Sequence, residues 1–242
     1  MKRIVLLAIL LLGSQMAYSA TWNQIINVQG FEDSGETVQV YKAINQLTGS
    51  THTNNHQLGS LYVDDLSWSD LTEIALVGVS AGNTNELQSK TDATVSTVRT
   101  QPPAQDWLDN EYIDVPDVAG SYLWQLEALG PWSYGTWHSN DSGNSDAMDH
   151  MLAFSLGTSL TFTDGTTGLV HTFDNPHLIA WEDTAIASSD KDYNDMIYLV
   201  NAAPTPVPLP ASVLLFGSGV MGLMGLAGFR RRGKRVSEQL TS

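Results

Sequence analysis

The residues with the clearest chemical potential form an acidic run late in the chain. Asp190, Asp192 and Asn194 alternate along it, and Asp195 follows directly. Calcium binds about six to eight oxygens at roughly 2.3–2.6 Å and tolerates irregular geometry, so alternating oxygen ligands in a turn suit it. The run lacks the glycine and the distal glutamate of an EF-hand. It predicts a calcium site of another kind, although the same residue types also cap solvated turns.

Further oxygen ligands are expected from acids that flank two apolar runs. Glu182 and Asp183 follow the run 178–181, while Asp146 and Asp149 precede the run 151–156. If these runs are neighbouring strands, the acids meet at one end of a sheet. The sequence therefore predicts Glu182 and Asp183 as additional ligands, with calcium as the cofactor.

The elements that must position this site read as β-strands. Short runs with two-residue alternation or continuous apolar character are bounded by Gly, Asn, Asp and Pro, and no segment has a convincing amphipathic helical pattern. This pattern predicts an all-β domain over residues 21–203, either an antiparallel β-sandwich or a jelly roll. The predicted strands are 37–41, 74–79, 94–98, 122–126, 151–156, 160–162, 169–173, 178–181 and 196–200.

The charge is distributed unevenly along the chain. The 242 residues include 26 acids and 11 bases, a formal net charge of -15, but residues 20–206 hold 25 of the acids and only four of the bases. That part carries a net charge of -21. Such an acidic domain argues against binding to nucleic acid, whose phosphates are contacted by Lys and Arg. The absence of cysteine excludes disulfides and a thiol nucleophile.

The amino-terminal residues 1–20 have the order of a secretory signal peptide. Lys2 and Arg3 precede the apolar stretch 4–12, and small residues occupy positions 17, 19 and 20. This order predicts export from the cytoplasm.

The carboxyl-terminal end has the features of a membrane anchor. Residues 211–229 are 19 positions without a charge, about the length that one membrane helix needs. The basic tail 230–242 follows and is expected on the cytoplasmic side. The segment 204–210 contains four prolines and favours an extended backbone.

These carboxyl-terminal features together resemble the PEP-CTERM sorting signal of exported Gram-negative proteins. The resemblance rests on the proline-rich motif, the apolar span with its regularly spaced glycines, and the arginines that follow. It implies an exosortase-type transpeptidase as partner, and delivery to the cell surface or the exopolysaccharide matrix. Leu209 stands where the family usually has glutamate, and an uncut membrane anchor is the alternative. The motif residues are Val207, Pro208, Leu209, Pro210, Arg230, Arg231 and Arg232.

The acidic part of the chain has a second resemblance. Residues 149–154 read D-H-M-x-x-F, residues 181–183 read W-E-D, and residues 190–195 read D-x-D-Y-N-D. The succession is similar to the DUF4114 type of domain in exported bacterial surface proteins, a family whose role is poorly defined. The resemblance implies a surface protein and assigns no activity.

Two other functions compete with a calcium-stabilised, non-enzymatic surface protein. Trp132, Tyr134 and Trp137 lie in a turn-rich stretch and are candidates for stacking on the sugar rings of an exopolysaccharide. Ser80 lies in a G-x-S-x-G pattern, as the nucleophile of a serine hydrolase does. However, about 58 mature residues precede Ser80, too few for an α/β-hydrolase, and a polar stretch follows it where a helix should begin. The non-enzymatic interpretation is therefore preferred.

Overall fold

The computed structural model describes most of the acidic part of the chain. The described residues are Trp22, 25–26, 30–33, 36–63, 68–91, 94–113, 118–131, 134–140 and 143–204. The predicted signal peptide, the sorting motif, the membrane span and the basic tail lie outside them. Within the described ranges, no helix is both long enough and apolar enough to cross a membrane.

The described residues are mostly strand. One α-helix, α1 (Val40–Thr48), and a 3-10 helix (Asn55–Ser60) precede most of the strands. The strands of this part are β1 (Tyr62–Val63), β2 (Trp68–Ala81), β3 (Asn85–Lys90), β4 (Val95–Gln101), β5 (Ala104–Ile113), β6 (Val118–Leu129), β7 (Tyr134–His138), β8 (Met151–Ser155), β9 (Ser159–Thr163), β10 (Val170–Asp174), β11 (Pro176–Trp181) and β12 (Met196–Pro204).

Ten of these strands join into one antiparallel sheet in the order β1-β8-β11-β12-β2-β6-β3-β4, with β5 also paired to β2 and β7 to β6. Strand β2 links two parts of this sheet. Its first residues, Trp68–Leu71, pair with β6, and its later residues, Ile74–Ala81, pair with β5. Strands β9 and β10 form a separate hairpin. The prediction of an antiparallel all-β domain is confirmed, and the arrangement is consistent with a β-sandwich.

Strands β8, β11 and β12 are buried on both faces. On one face, residues such as Phe154 and Leu178 pack against α1 and the β9–β10 hairpin. On the other face, residues such as Trp181 and Met196 pack against Trp124 of β6 and its neighbours. Because both faces are covered, these strands are continuous apolar runs without alternation. This explains why all three were visible in the sequence.

The predicted strand at 37–41 is wrong, because the chain is helical from Val40 to Thr48. Val40, Ala43 and Ile44 have the spacing of one helix face, and all three are buried against the sheet. The helix ends at Gly49, whose positive φ of 71° closes the last turn through a hydrogen bond to Asn45.

Candidate metal centre

The predicted ligands lie at one end of the sheet because of the strand register. Trp181 at the end of β11 pairs with Met196 at the start of β12, and also with Met151 at the start of β8. The loop 182–195, here called the acidic loop, therefore leaves and re-enters the sheet at adjacent strands. This register brings Glu182 and Asp183, at the start of the loop, close to Asp195 at its end.

Three carboxylates of this loop converge, and they are called the carboxylate cluster below. Glu182, Asp190 and Asp192 each direct one oxygen to a common region, where these atoms lie within 4.8 Å of one another. Two oxygens bound to the same calcium ion lie at most about 5 Å apart, so a single ion fits among all three. Glu182 and Asp192 are buried, and Asp190 is exposed on the solvent side.

Glu182 has an unsatisfied oxygen. Its Oε1 accepts a hydrogen bond from Thr184 Oγ1 at 3.2 Å, but its buried Oε2 has no hydrogen-bond partner. Burial, together with the charges of Asp190, Asp192 and Asp183, raises the pKa of Glu182 to about 8. A buried carboxylate oxygen without a donor is rare in folded proteins. A bound cation would satisfy it.

Asp183 has a different role, because its carboxylate is already occupied. Asn83 and Asn85 donate side-chain hydrogen bonds to its two oxygens at 3.1 and 2.8 Å. Its backbone carbonyl accepts the indole N–H of Trp137 at 2.8 Å. These bonds join the start of the acidic loop to the β3 and β7 side of the sandwich. Asp183 therefore holds the site in place, although burial also raises its pKa.

Asp195 closes the base of the loop. Its Oδ2 accepts the backbone N–H of Asp183 at 2.7 Å. Burial, followed by the charges of Glu182 and Asp183, raises the pKa of Asp195 well above its usual value. The carboxyl of Asp195 also shares a hydrogen bond with that of Glu182, and the raised pKa values of the two groups favour a retained proton between them when no ion is bound.

Asn194 orients a ligand in this geometry instead of supplying an oxygen. Its side-chain nitrogen donates to the carbonyl of Val38 at 2.9 Å and also contacts Asp192 Oδ2. Its backbone N–H donates to Asp192 Oδ1 at 3.2 Å. Asn194 therefore fixes Asp192 from two sides.

The backbone of the acidic loop is held in an unusual conformation. Lys191 and Tyr193 have positive φ values of 62° and 54°, a left-handed region that non-glycine residues rarely adopt. The Tyr193 hydroxyl donates to the carbonyl of Asp149 at 2.7 Å, and its buried ring lies edge-on to Phe31 at 5.4 Å. Strain of this kind persists where surrounding contacts over-determine the conformation. Tyr193 is thus the internal anchor of the loop.

Asp146 and Asp149, the other suggested oxygen donors, are engaged elsewhere. Hydrogen bonds of 3.0–3.1 Å join Asp146 to His150 Nε2, and Asp149 Oδ1 accepts the N–H of Met151 at 3.2 Å. His150 Nδ1 bonds the carbonyl of Glu182 at 3.1 Å, and its ring stacks on Trp137 at 3.9 Å. The sequence did not predict that His150 supports the site through Glu182 and Trp137. Only the D-H-M motif, which includes His150, pointed toward it.

The aromatic candidates for sugar binding do not share an exposed surface. Trp137 is only 6% exposed and packs beneath the metal centre, whereas Tyr134 is 81% exposed. Trp132 lies outside the described residues. The buried indole of Trp137 is committed to His150 and Asp183, so it offers no face to a sugar.

Ser80 lies inside β2, where it pairs with Gln105 of β5. A nucleophile elbow needs a turn between a strand and a helix, and Ser80 occupies no such turn. Its hydroxyl donates to the Glu36 carboxylate. Ser80 therefore belongs to the surroundings of the acidic loop.

Fold and site together define an antiparallel β domain that concentrates carboxylates in one interstrand loop. The chain belongs to the family described as "Domain of unknown function (DUF4114)", whose model matches residues 16–203. This match confirms the resemblance drawn from the three acidic motifs. No curated protein matches the sequence.

Proposed function

We propose that this DUF4114 domain binds a divalent cation, with calcium as the preferred ion, through Glu182, Asp190 and Asp192. The observation that carries the proposal is the buried Oε2 of Glu182, which has no hydrogen-bond partner and belongs to a side chain that converges with Asp190 and Asp192. An ion there would supply the missing partner and offset the repulsion among the carboxylates.

The donor set favours a hard cation. All three proposed ligands are carboxylates, and the nearby His150 has both ring nitrogens bonded to oxygen atoms. Oxygen-only sites suit calcium or magnesium, whereas imidazole and thiolate ligands favour zinc or copper. The exposed side at Asp190 leaves room for water molecules to complete the six to eight oxygens of calcium.

The ion would be structural, and the protein non-enzymatic. It would contact residues that only the folded chain brings together, so binding would stabilise the native state. At about 100 times the dissociation constant, this linkage is worth about 2.7 kcal/mol. For a domain of this size, that corresponds to a midpoint increase of about 5–10 °C.

A thermal melt of the purified full-length protein tests this proposal. We expect calcium at about 100 times its dissociation constant to raise the midpoint by about 5–10 °C over the same protein in chelator, with a smaller increase in magnesium. Glu127→Gln is a matched control, because it removes one carboxylate from β6, outside the acidic loop. Identical midpoints in calcium and chelator would contradict the proposal.

We also propose that the protein is exported, held in the inner membrane by its carboxyl-terminal helix, and then sorted to the cell surface or extracellular matrix. Its signal-peptide pattern, its proline-rich motif and its basic tail support this route. Extracellular calcium modules bind at roughly 10⁻⁴–10⁻³ M, so a weak site suits that location. The expected partner is an exosortase-type transpeptidase.

Fractionation of the producing cells tests the sorting proposal. Replacing both Pro208 and Pro210 by alanine should leave the protein in the inner-membrane fraction. Replacing both Pro204 and Pro206 is the matched control, since these prolines precede the motif. Surface delivery of the Pro208/Pro210 variant at the level of the unmodified protein would refute this use of the motif.

A further inference from the structure

The segment that precedes α1 lies against the acidic loop. We call its described residues, 30–33 and 36–39, the N-terminal strap. The backbone N–H of Glu32 donates to the carbonyl of Lys191 at 2.9 Å, and the Phe31 ring meets the Tyr193 ring edge-on. The carbonyl of Val38 accepts the side-chain N–H of Asn194. The strap and the acidic loop are thus in contact at several points, although they lie far apart in the sequence.

The strap also brings a carboxylate to the metal centre. Glu36 Oε2 lies 3.4 Å from the side-chain nitrogen of Asn194, the same nitrogen that contacts Asp192 Oδ2. The Glu36 carboxylate also accepts the hydroxyl of Ser80. Its charge, after burial, helps to raise the pKa of Asp190. Glu36 therefore shares the side-chain amide of Asn194 with Asp192, although its oxygens are not among those that converge within 4.8 Å.

A group of acidic residues alone does not indicate a bound ion, but the carboxylate cluster also contains a buried oxygen without a hydrogen-bond partner. Glu182 is 1% exposed, and its Oε2 has no hydrogen-bond partner. That oxygen belongs to a side chain which converges with Asp190 and Asp192. The site thus contains a buried acceptor whose missing partner a cation would supply.

We propose that the Glu36 side chain turns from Asn194 toward the carboxylate cluster when an ion binds and becomes a further ligand, so that the ion ties the N-terminal strap and α1 to the sheet. This inference rests on the proposed function. Glu36 and the carboxylate cluster repel each other without an ion, and a shared cation converts that repulsion into attraction. The bound ion thus connects the acidic loop to the layer that covers one face of β8, β11 and β12.

The structural consequence is local. Val38 and Phe31 of the strap are buried, and α1 continues directly from the strap with Val40, Ala43 and Ile44 against the sheet. An ion held by Glu36 would lower the frequency at which this layer opens. Amide hydrogen exchange measures such local opening.

Hydrogen exchange of the full-length protein, in calcium and in chelator, tests the inference. We expect calcium to slow exchange in peptides from residues 30–48 on the order of 10-fold. Peptides from β4, which lies at the opposite edge of the sheet, should change much less. Equal effects of calcium on both regions would contradict a local tie through Glu36.

Two matched variants identify the ligand. Glu36→Gln should weaken calcium binding on the order of 10-fold and remove the slowing in residues 30–48. Glu32→Gln removes the same charge from an exposed position in the same strap, and it should behave as the unmodified protein does. If Glu36→Gln fails to fold in chelator, calcium binding by Glu36→Asp and the hydrogen exchange of residues 30–48 in the unmodified protein test the role of Glu36 instead.

The outcomes separate this inference from the proposed function. If the unmodified protein binds calcium but residues 30–48 exchange equally fast with and without it, the strap inference is overturned and the metal centre stands. If Glu36→Gln and Glu32→Gln bind calcium with equal affinity, the strap inference is likewise overturned and the proposed metal centre stands. If the unmodified protein binds no calcium, both proposals fail.

Discussion

Two regions of the molecule bring carboxylates together, one within the acidic loop and one on two neighbouring strands, and the hydrogen-bond donors around the carboxylates differ between them. In the carboxylate cluster, Glu182 is buried and keeps an oxygen without a donor. The outer pair, Glu86 and Glu127, lies on the solvent side of β3 and β6, where the two residues are direct cross-strand partners. Gln88 Nε2 donates to Glu127 at 2.8 Å and contacts Glu86 at 3.3 Å.

The outer pair needs no cation. Both of its side chains are partly exposed, and the Thr100 hydroxyl supplies a further donor to Glu86 at 3.1 Å. Neutral amides, hydroxyls and water therefore satisfy these carboxylates. The carboxylate cluster combines burial with too few donors. We conclude that the proposed cation site differs from the outer pair in burying carboxylate oxygens without enough hydrogen-bond donors, and that the number of acids matters less.

The largest expected difference between the two regions is in their response to pH without the ion. The folded-state pKa of Glu182 is raised from 4.5 to about 8. The folded protein therefore retains a proton that the unfolded chain has lost, and its stability falls as the pH rises from about 4.5 to about 8. In chelator, we expect a loss on the order of 3–5 kcal/mol over this range, measured by urea unfolding.

Calcium should remove most of this pH dependence, because the bound ion stabilises the ionised carboxylates. Glu182→Gln should also flatten the profile, whereas Glu127→Gln should leave it unchanged. A pH profile in chelator that rises toward pH 8 would contradict the assignment of buried, uncompensated carboxylates.

The next effect is the loss of ion-dependent stabilisation. Glu182→Gln removes the unpartnered carboxylate, so the shift of about 5–10 °C between calcium and chelator should fall to near zero. Glu86→Gln and Glu127→Gln should keep the full shift, because neutral groups already satisfy the outer pair. Differential scanning calorimetry measures all three variants, and equal loss in all of them would show that the ion acts through general charge screening.

A smaller effect is expected at the support of the metal centre. Asn85→Ala removes a donor to the buried Asp183 and should cost about 1–3 kcal/mol of stability in both calcium and chelator. Asn201→Ala, which removes a bond to the partly exposed Glu73, should cost less. Chemical denaturation of both variants measures the difference. An equal loss of unfolding free energy would argue against Asp183 as a buried support of the metal centre.

The smallest effect should come from the outer pair. Gln88→Leu removes the amide that lies between Glu86 and Glu127, and like charges on directly opposite residues repel modestly at a partly exposed position. We expect a loss of about 1 kcal/mol or less, with no change in the calcium response. If calcium binding weakened in Gln88→Leu, the two regions would not be independent.

The sequence predicted the doubly buried strands well. The runs 178–181 and 196–200 lie within β11 and β12, because strands covered on both faces are apolar throughout. It predicted β3 and β7 poorly. In β3, Asn85 faces the core to bond Asp183, and in β7 the exposed Tyr134 and the buried Trp137 stand in a stretch that resembles a turn.

The site was predicted in part. The alternation of Asp190 and Asp192 is visible in the sequence, and their nearness to Glu182 follows from strands whose ends meet at one end of the sheet. The spacing did not show that Asn194 turns its nitrogen inward, because a side-chain amide offers both a donor and an acceptor. Glu36, which we propose as a further ligand, had no signal in the sequence, since only the tertiary fold places the strap against the acidic loop.

Isothermal titration calorimetry of the full-length protein with calcium tests the central claim most directly. We predict about one ion per chain with a dissociation constant near 10⁻⁴–10⁻³ M, weakened on the order of 10-fold or more in Glu182→Gln and unchanged in Glu127→Gln. An unmodified protein that binds no calcium, or a Glu182→Gln variant that binds it equally well, would contradict this account.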